Sequence, residues 1–284
     1  MFDYRGLTRM SPIASCVLSI QDLQRLYREL DAKAQQAMEK HLAALKRAPD
    51  TSEEEWDALL AEGRRVGHVT VSVLGSRGEQ IMASSIEALD PTGLPAQIQQ
   101  ITFDSAAGPK QAYNIFMMNR FVVELDFTEP PGFNSYNPWD QPTPNASRVE
   151  VIGADDTWVL GVYESILGFF THRQKKRTWL HSSEAFNLLN WFVGFPVALW
   201  TIFRVDSAAD FLQGAHPALK GAFYVYLFLV VLLLFRAVIW AARWLFPMVE
   251  LEEARSTRAR AVFWVVVGGL ITGLLYDVLK TVLT

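Results

Sequence analysis

GAFYVYLFLVVLLLFRAVIWAARWLF, residues Gly221 to Phe246, carries no charge before Arg236 and resumes its apolar run directly after it. At 1.5 Å rise per residue, about 20 such residues cross a bilayer core about 30 Å thick. An amphipathic helix of a soluble domain would show a polar residue at every third or fourth position, and this stretch has no such stripe. It predicts a transmembrane helix.

Two further charge-free stretches flank it. Ala185 to Phe203, AFNLLNWFVGFPVALWTIF, is long enough for a span, and Ala261 to Tyr276, AVFWVVVGGLITGLLY, extends toward Leu283 past Asp277 and Lys280. All three fall in the last hundred residues, and MFDYRGLTRM at the N-terminus lacks the apolar core of a signal peptide. The expected organisation is a cytoplasmic α+β domain over 1–152, a connecting helix over 153–182, and an all-α membrane domain of three transmembrane helices over 183–284.

Flanking charge sets the expected orientation. RQKKR, Arg173 to Arg177, precedes the first span, and Arg243, Arg255, Arg258 and Arg260 follow the second. The 204–220 segment balances Arg204 and Lys220 against Asp206 and Asp210. The positive-inside rule then puts the N-terminal part and the 247–260 loop in the cytoplasm, with the C-terminus across the membrane. Trp179, Trp200, Trp240, Trp244 and Trp264 lie near the expected span ends, as an interfacial aromatic belt requires.

Residues 1–154 hold 14 Lys and Arg against 20 Asp and Glu, a balance of −6; the remainder holds 12 against 10, a balance of +2. An acidic N-terminal part argues against general nucleic-acid binding, which rests on neutralising phosphates, though not against one local basic pocket. Cys16 is the only cysteine, so no disulfide framework can form. His41, His68, His172, His181 and His216 are scattered without metal-ligand spacing, and no metal or cofactor is expected. No P-loop, GxGxxG, GxSxG or readable carboxylate pair is present, and no catalytic residue is assigned.

Along the N-terminal part, residues 15–20 read as a short strand. A helix follows over 21–47, its apolar stripe running from Leu23 through Leu30 to Leu45. Ser52 and Glu55 form a capping box for a second helix ending at Gly63 or Gly67. Val69, Val71 and Val73 alternate into a GSRG turn, the signature of a hairpin. IQQITFDSA reads as a third strand, AAGPK as a turn, AYNIFMMNRFVVELDF as a fourth strand and VEVIG as the last. This is an antiparallel sheet that the two N-terminal helices can cover. The segment 128–147, with five prolines and Phe133, Tyr136 and Trp139, reads either as cover for a sheet edge or as a subunit or ligand contact. Asp155 or Asp156 caps the connecting helix, whose apolar face is Trp158, Val162, Ile166 and Phe169 or Phe170. RQKKR is a topology signal and lipid contact, or a basic ring for an anionic ligand through Arg173, Lys175, Lys176 and Arg177.

Within the spans, Asn187, Asn190, Gly194, Ala198 and Thr201 share one side of an ideal helix. Such a stripe either packs against neighbouring helices or lines a water-filled path. Gly269 and Gly273 make a GxxxG that permits close helix packing. Arg236 is the one charge well inside a span; it snorkels, pairs with a carbonyl or an acid such as Glu184, or faces an aqueous cavity. FPMVELEEARSTRARAVFW, between the last two spans, reads as a charged helical elbow.

In its order of parts, and in RTWLHSSEAFNLLNWF through WLFPMVELEEARSTRARAVFW, the chain resembles the membrane channel effectors of bacterial anti-phage defence, the Hailong type among them. That resemblance implies a homo-oligomeric channel in the bacterial inner membrane, a tetramer or other cyclic assembly. It also implies an oligonucleotide ligand and a partner nucleotidyltransferase. It transfers no functional residues. The competing expectations are a membrane-anchored scaffold without a pore and, third, an enzyme acting at the membrane.

Overall fold

A computed structural model describes residues 6–130, 143–208, 214–254 and 257–283. The chain divides into two compact units. The sheet unit comprises Met1–Thr128, Asn145–Lys176 and Met248–Ala254; the helical unit comprises Glu129–Pro144, Arg177–Pro247 and Arg255–Thr284.

The sheet unit contains β1 (Leu7–Pro12), β2 (Cys16–Leu18), α1 (Ile20–Ala44), α2 (Glu53–Val66), β3 (Thr70–Gly75), β4 (Gln80–Ala83), β5 (Ile98–Asp104), α3 (Ala107–Tyr113), β6 (Arg120–Asp126), β7 (Arg148–Gly153) and α4 (Asp156–Thr171). Six strands form one antiparallel sheet in the order β1-β7-β6-β5-β3-β4. Alternate residues point to one face, as the period-2 pattern requires. Val71, Val73, Ile101, Phe103, Val123, Leu125, Val149 and Val151 are all fully buried there. The expected antiparallel sheet with helices is therefore present.

Its cover differs from the expected pair of N-terminal helices. α1 packs Leu23, Leu26, Tyr27 and Leu30 into the core, but its companion is α4, with Trp158, Val159, Val162, Ile166, Phe169 and Phe170. The highly charged sequence of α2 offers too little apolar surface for that role. It instead joins a satellite cluster in which Met38, Leu42 and Met117 are buried against Leu60 and Ala106. Its start is as expected: Ser52 accepts from the Glu55 amide and the Glu55 carboxylate accepts from the Ser52 amide, with Gly67 at the C-cap.

Two local readings are corrected. The segment read as a turn and the start of a strand is α3, ended by Asn114 in the left-handed region at φ 52°. Strand β6 then begins only at Arg120. Gly108 lets α3 approach the end of α2, since a Cβ there would lie 2.4 Å from the Val66 carbonyl oxygen. β1 was not expected; it extends the sheet beside β7.

The helical unit holds α5 (Ser183–Leu189), a π-helical turn (Asn190–Gly194), α6 (Phe195–Ala208) and α7 (Pro217–Leu245). After β8 (Val249–Leu251), which belongs to the sheet unit, comes α8 (Thr257–Leu283). Among the described residues two helices are long and apolar enough to cross a membrane, Ser183–Ala208 and Pro217–Leu245. α8 spans 27 residues, several of whose side chains near its end are outside the described set, so the Asp277–Lys280 pair is not placed. Phe133, Tyr136 and Trp139 of the proline-rich segment, Asp210 and Arg255 also lie outside the described residues.

Candidate functional site: a strand clamp in the sheet unit

β2 is only three residues long, yet it has backbone partners on both sides. On one side it runs parallel to β8, with Cys16 opposite Val249, Val17 opposite Glu250 and Leu18 opposite Leu251. The Cys16 amide donates to the Met248 carbonyl at 2.9 Å. On the other side Cys16 forms an antiparallel bridge with Gln174, and the Lys175 amide donates to the Ser15 carbonyl at 2.7 Å. Parallel neighbours need a long connection; here it runs from residue 18 to residue 249.

Apolar burial fixes the register. Cys16, Leu18 and Val249 are at most 2% exposed and Leu251 is 9%, all within the main core of the unit. Burial pushes the Cys16 thiol up to about 12, against a smaller opposing pull from Arg173. The thiol therefore stays protonated and packs as a small apolar group.

The N-terminus of α1, directly after β2, ties the same segments with side chains. Ser19 and Asp22 form a capping box. The Ile20 amide donates to Glu253 Oε1 at 2.9 Å. Two carboxylates thus sit at the positive end of the helix. Asp22 Oδ1 also accepts from Arg173 Nε at 2.9 Å and Nη2 at 2.6 Å. The Arg173 guanidinium donates to the Phe169 carbonyl at 3.0 Å and lies 3.9 Å from the centre of the Phe169 ring. An open cleft of about 540 Å³ adjoins, lined by Arg25, Glu29, Gly168, Phe169, His172 and Arg173.

Sequence reasoning expected one continuous helix through residue 182 and a helical elbow after Phe246. α4 instead stops at Thr171, because the chain turns to place Arg173 on Asp22 and Gln174 on Cys16. The elbow is a strand followed by a 3-10 turn over Glu252–Ala254. The signal that could have found this was VEL at 249–251, an apolar pair at spacing two among charges.

The basic run is divided. Arg173 and the Lys175 backbone serve the clamp, the Lys175 and Lys176 side chains are exposed, and Arg177 of the helical unit lies 5.5 Å from the Phe246 ring.

In the helical unit, the first-span stripe does not stay on one side. The π turn at Asn190–Gly194 inserts an extra residue into the helical phase. Gly194 and Ala198 are buried, and a Cβ on Gly194 would come within 2.8 Å of Phe235 on α7. Asn190 is half-buried, and its Oδ1 accepts no hydrogen bond among the described residues. Asn187 is exposed, and Thr201 Oγ1 donates to the Val197 carbonyl at 2.8 Å. Arg236 and Arg243, two turns apart on α7, lie 5.8 and 5.6 Å from the Phe186 ring. A Cβ at Gly269 or Gly273 would meet nothing within 4 Å.

A second cluster ties the unit's chain ends. Buried Arg243 donates to the carbonyls of Leu180 and Ser182, at 2.8 and 3.1 Å. His181, 2% exposed, lies 2.8 Å from the Phe246 carbonyl through Nε2 and 2.9 Å from Thr143 Oγ1 through Nδ1. A carbonyl only accepts, so we assign the proton to Nε2 and the acceptor role to Nδ1. Burial holds this imidazole below its ordinary value; the Phe246 bond opposes that, and Arg243 and Arg177 reinforce it.

Asp22 gives the clamp an acid dependence. Burial pushes its carboxyl up, but hydrogen bonds from Arg173 and Ser19 outweigh that and hold it below the usual range. A lowered carboxylate contributes stability above its unfolded value near 4 and loses it as pH falls through the folded value. Asp22→Asn should cost about 1.5 kcal/mol at pH 7, the lower end for charge-assisted bonds at a half-exposed site. It should also flatten the fall in stability between pH 5 and 2. Urea unfolding across that range checks both, and an unchanged pH profile would remove Asp22 from the account.

The chain matches no family model, no curated protein and no solved structure.

Proposed function

We propose that this protein is a homo-oligomeric membrane channel whose sheet unit, on the cytoplasmic side, controls helices that cross the bilayer three times. The carrying observation is the clamp. The chain leaves the sheet unit after Lys176, forms the two long apolar helices, returns for Met248–Ala254, and leaves again into α8. Both segments of the sheet unit that adjoin these departures are bonded to β2. An anchor needs one tether. Two tethers converging on one buried strand let a change in the sheet unit act on both connections together. The basic residues flanking the apolar helices favour the cytoplasmic placement.

An exposed Asn187 on a mostly apolar helix favours a water-filled path formed by several copies, since a bare amide facing lipid is costly. Gly194 and Ala198 are then packing positions. The nucleotide-type signal implied by the resemblance to phage-defence effectors has its best place in the cleft beside the clamp. A phosphate there would compete with Asp22 for Arg173.

The test is single-channel current from the purified full-length protein in a planar bilayer. Discrete steps are expected, and Asn187→Leu should reduce conductance several-fold without changing assembly. Assembled, inserted protein that passes no current under any ligand condition would overturn the channel in favour of a membrane-anchored scaffold.

A further inference from the structure

Of the five histidines only His181 is closed off from water. It sits where three stretches of the helical unit meet. Nε2 lies 2.8 Å from the Phe246 carbonyl at the end of α7, and Nδ1 lies 2.9 Å from Thr143 Oγ1. The Thr143 amide donates in turn to the His181 carbonyl at 3.3 Å. One residue on, Ser182 caps α5 by accepting from the Ala185 amide. His181 therefore ties the stretch around Thr143, the start of the first long apolar helix and the end of the second.

The neutral ring suits this place and the charged ring does not. Neutral, it donates through Nε2 and accepts from the Thr143 hydroxyl through Nδ1, so both nitrogens are satisfied. Protonated, Nδ1 becomes a donor, and the Thr143 hydroxyl must turn round and give up the acceptor of its own hydrogen. The new charge also arrives beside charges of its own sign. The Arg243 guanidinium bonds the carbonyls of Leu180 and Ser182, the residues on either side of His181. Arg177 stands at the start of the 3-10 turn that ends in His181, and these two arginines are the charges that act on the ring. Arg260 of α8 lies 4.8 Å from the centre of the Phe246 ring. Glu184 of α5 and Glu129, on the stretch that carries Thr143, are exposed, and Glu129 accepts from Trp244 instead. Among the described residues no carboxylate acts on the ring. A buried imidazolium so placed is relieved by reaching water, and protonation therefore favours an open junction.

We propose that His181 is a proton-operated latch of the helical unit: protonating its ring releases the end of α7 and the stretch around Thr143 from the start of α5. Burial holds the neutral form, and the two arginines reinforce it against the Phe246 bond. The latch is then closed above the ordinary histidine value near 6.5 and opens as pH falls below it. It belongs to the helical unit by itself and stands whether or not that unit conducts. Hydrogen exchange of the full-length protein in detergent tests it, read at pH 7.5 and pH 5.5 and corrected for the intrinsic rate. Amides of 180–186 and 244–246 should lose protection several-fold at the lower pH, while those of β3 and β5 keep theirs. His181→Gln keeps a donor for the Phe246 carbonyl and cannot titrate, so its protection should barely differ between the two values. Arg177→Gln removes one charge acting on the ring and leaves the ring's hydrogen bonds in place, so it should shrink the acid response. Unchanged protection in the wild type overturns the latch, as does an equal acid response in His181→Gln. If His181→Gln is open at both values, Arg177→Gln decides: a reduced response sustains the latch and an undiminished one overturns it.

Discussion

Val249→Asp is expected to free the 248–254 segment from the sheet unit while the six-stranded sheet stays folded. Val249 is 2% exposed, opposite Cys16, inside a cluster of apolar side chains. An uncompensated buried charge costs about 3–5 kcal/mol. The chain can escape that cost cheaply, because β8 has three residues and its withdrawal leaves the other core elements bonded to one another. Local opening is therefore favoured over global unfolding. Hydrogen exchange at the amides of 249–251 should accelerate by at least ~100-fold, at 1.4 kcal/mol per decade. Amides of β3, β5 and β6 should keep their protection. Under the channel reading proposed above, current from this variant in a bilayer should no longer respond to any condition that gates the wild type, although conductance persists. Unchanged exchange at 249–251 would show that the clamp does not hold the segment, and the coupling account would fall with it.

The sequence carried the sheet because its signals are local and periodic: valines at spacing two, a GSRG turn, a capping box at Ser52. The clamp was illegible for the opposite reason. Its pairs join residue 16 to residue 249 and residue 22 to residue 173, and no local pattern announces so distant a partner for three apolar residues. RQKKR reads as a solvated topology signal because charge runs usually are. Only the fold shows Arg173 lying over Phe169 with its guanidinium on Asp22. The first-span stripe was read on an ideal helix of 3.6 residues per turn. The π turn at Asn190–Gly194 breaks that premise, so Asn187 and Gly194 part company. Gly194, at the end of that turn, has no side chain to hold off Phe235 of α7. Arg236 drew attention as the intramembrane charge, whereas Arg243 entered only as an orienting one.

Arg243→Met is expected to be the most damaging single change in the helical unit outside its apolar contacts. The guanidinium is 5% exposed and satisfies the Leu180 and Ser182 carbonyls just before α5, from the last turn of α7. It also lies against Phe186. Methionine keeps the stem's apolar packing and removes the donors, so two carbonyls beside the start of α5 lose their charged partner. Hydrogen bonds to charged groups contribute about 1.5–3 kcal/mol each. Membrane-embedded references find substitute partners and reduce such figures, so a total of about 3 kcal/mol is expected. His181 supplies an independent check, because its bond to the Phe246 carbonyl joins the same two chain ends. Its lowered pKa means that the neutral ring's contribution is complete above the ordinary histidine value near 6.5 and declines as pH falls below it. Arg243 is one of the charges that lower the His181 value, so Arg243→Met should bring that value back toward the ordinary one and make the unit less acid-sensitive. Thermal unfolding in detergent at pH 8 and pH 5.5 measures both effects. Equal melting temperatures for Arg243→Met and the wild type at both values would show that these ends are held by the apolar contacts of α6 and α7 alone.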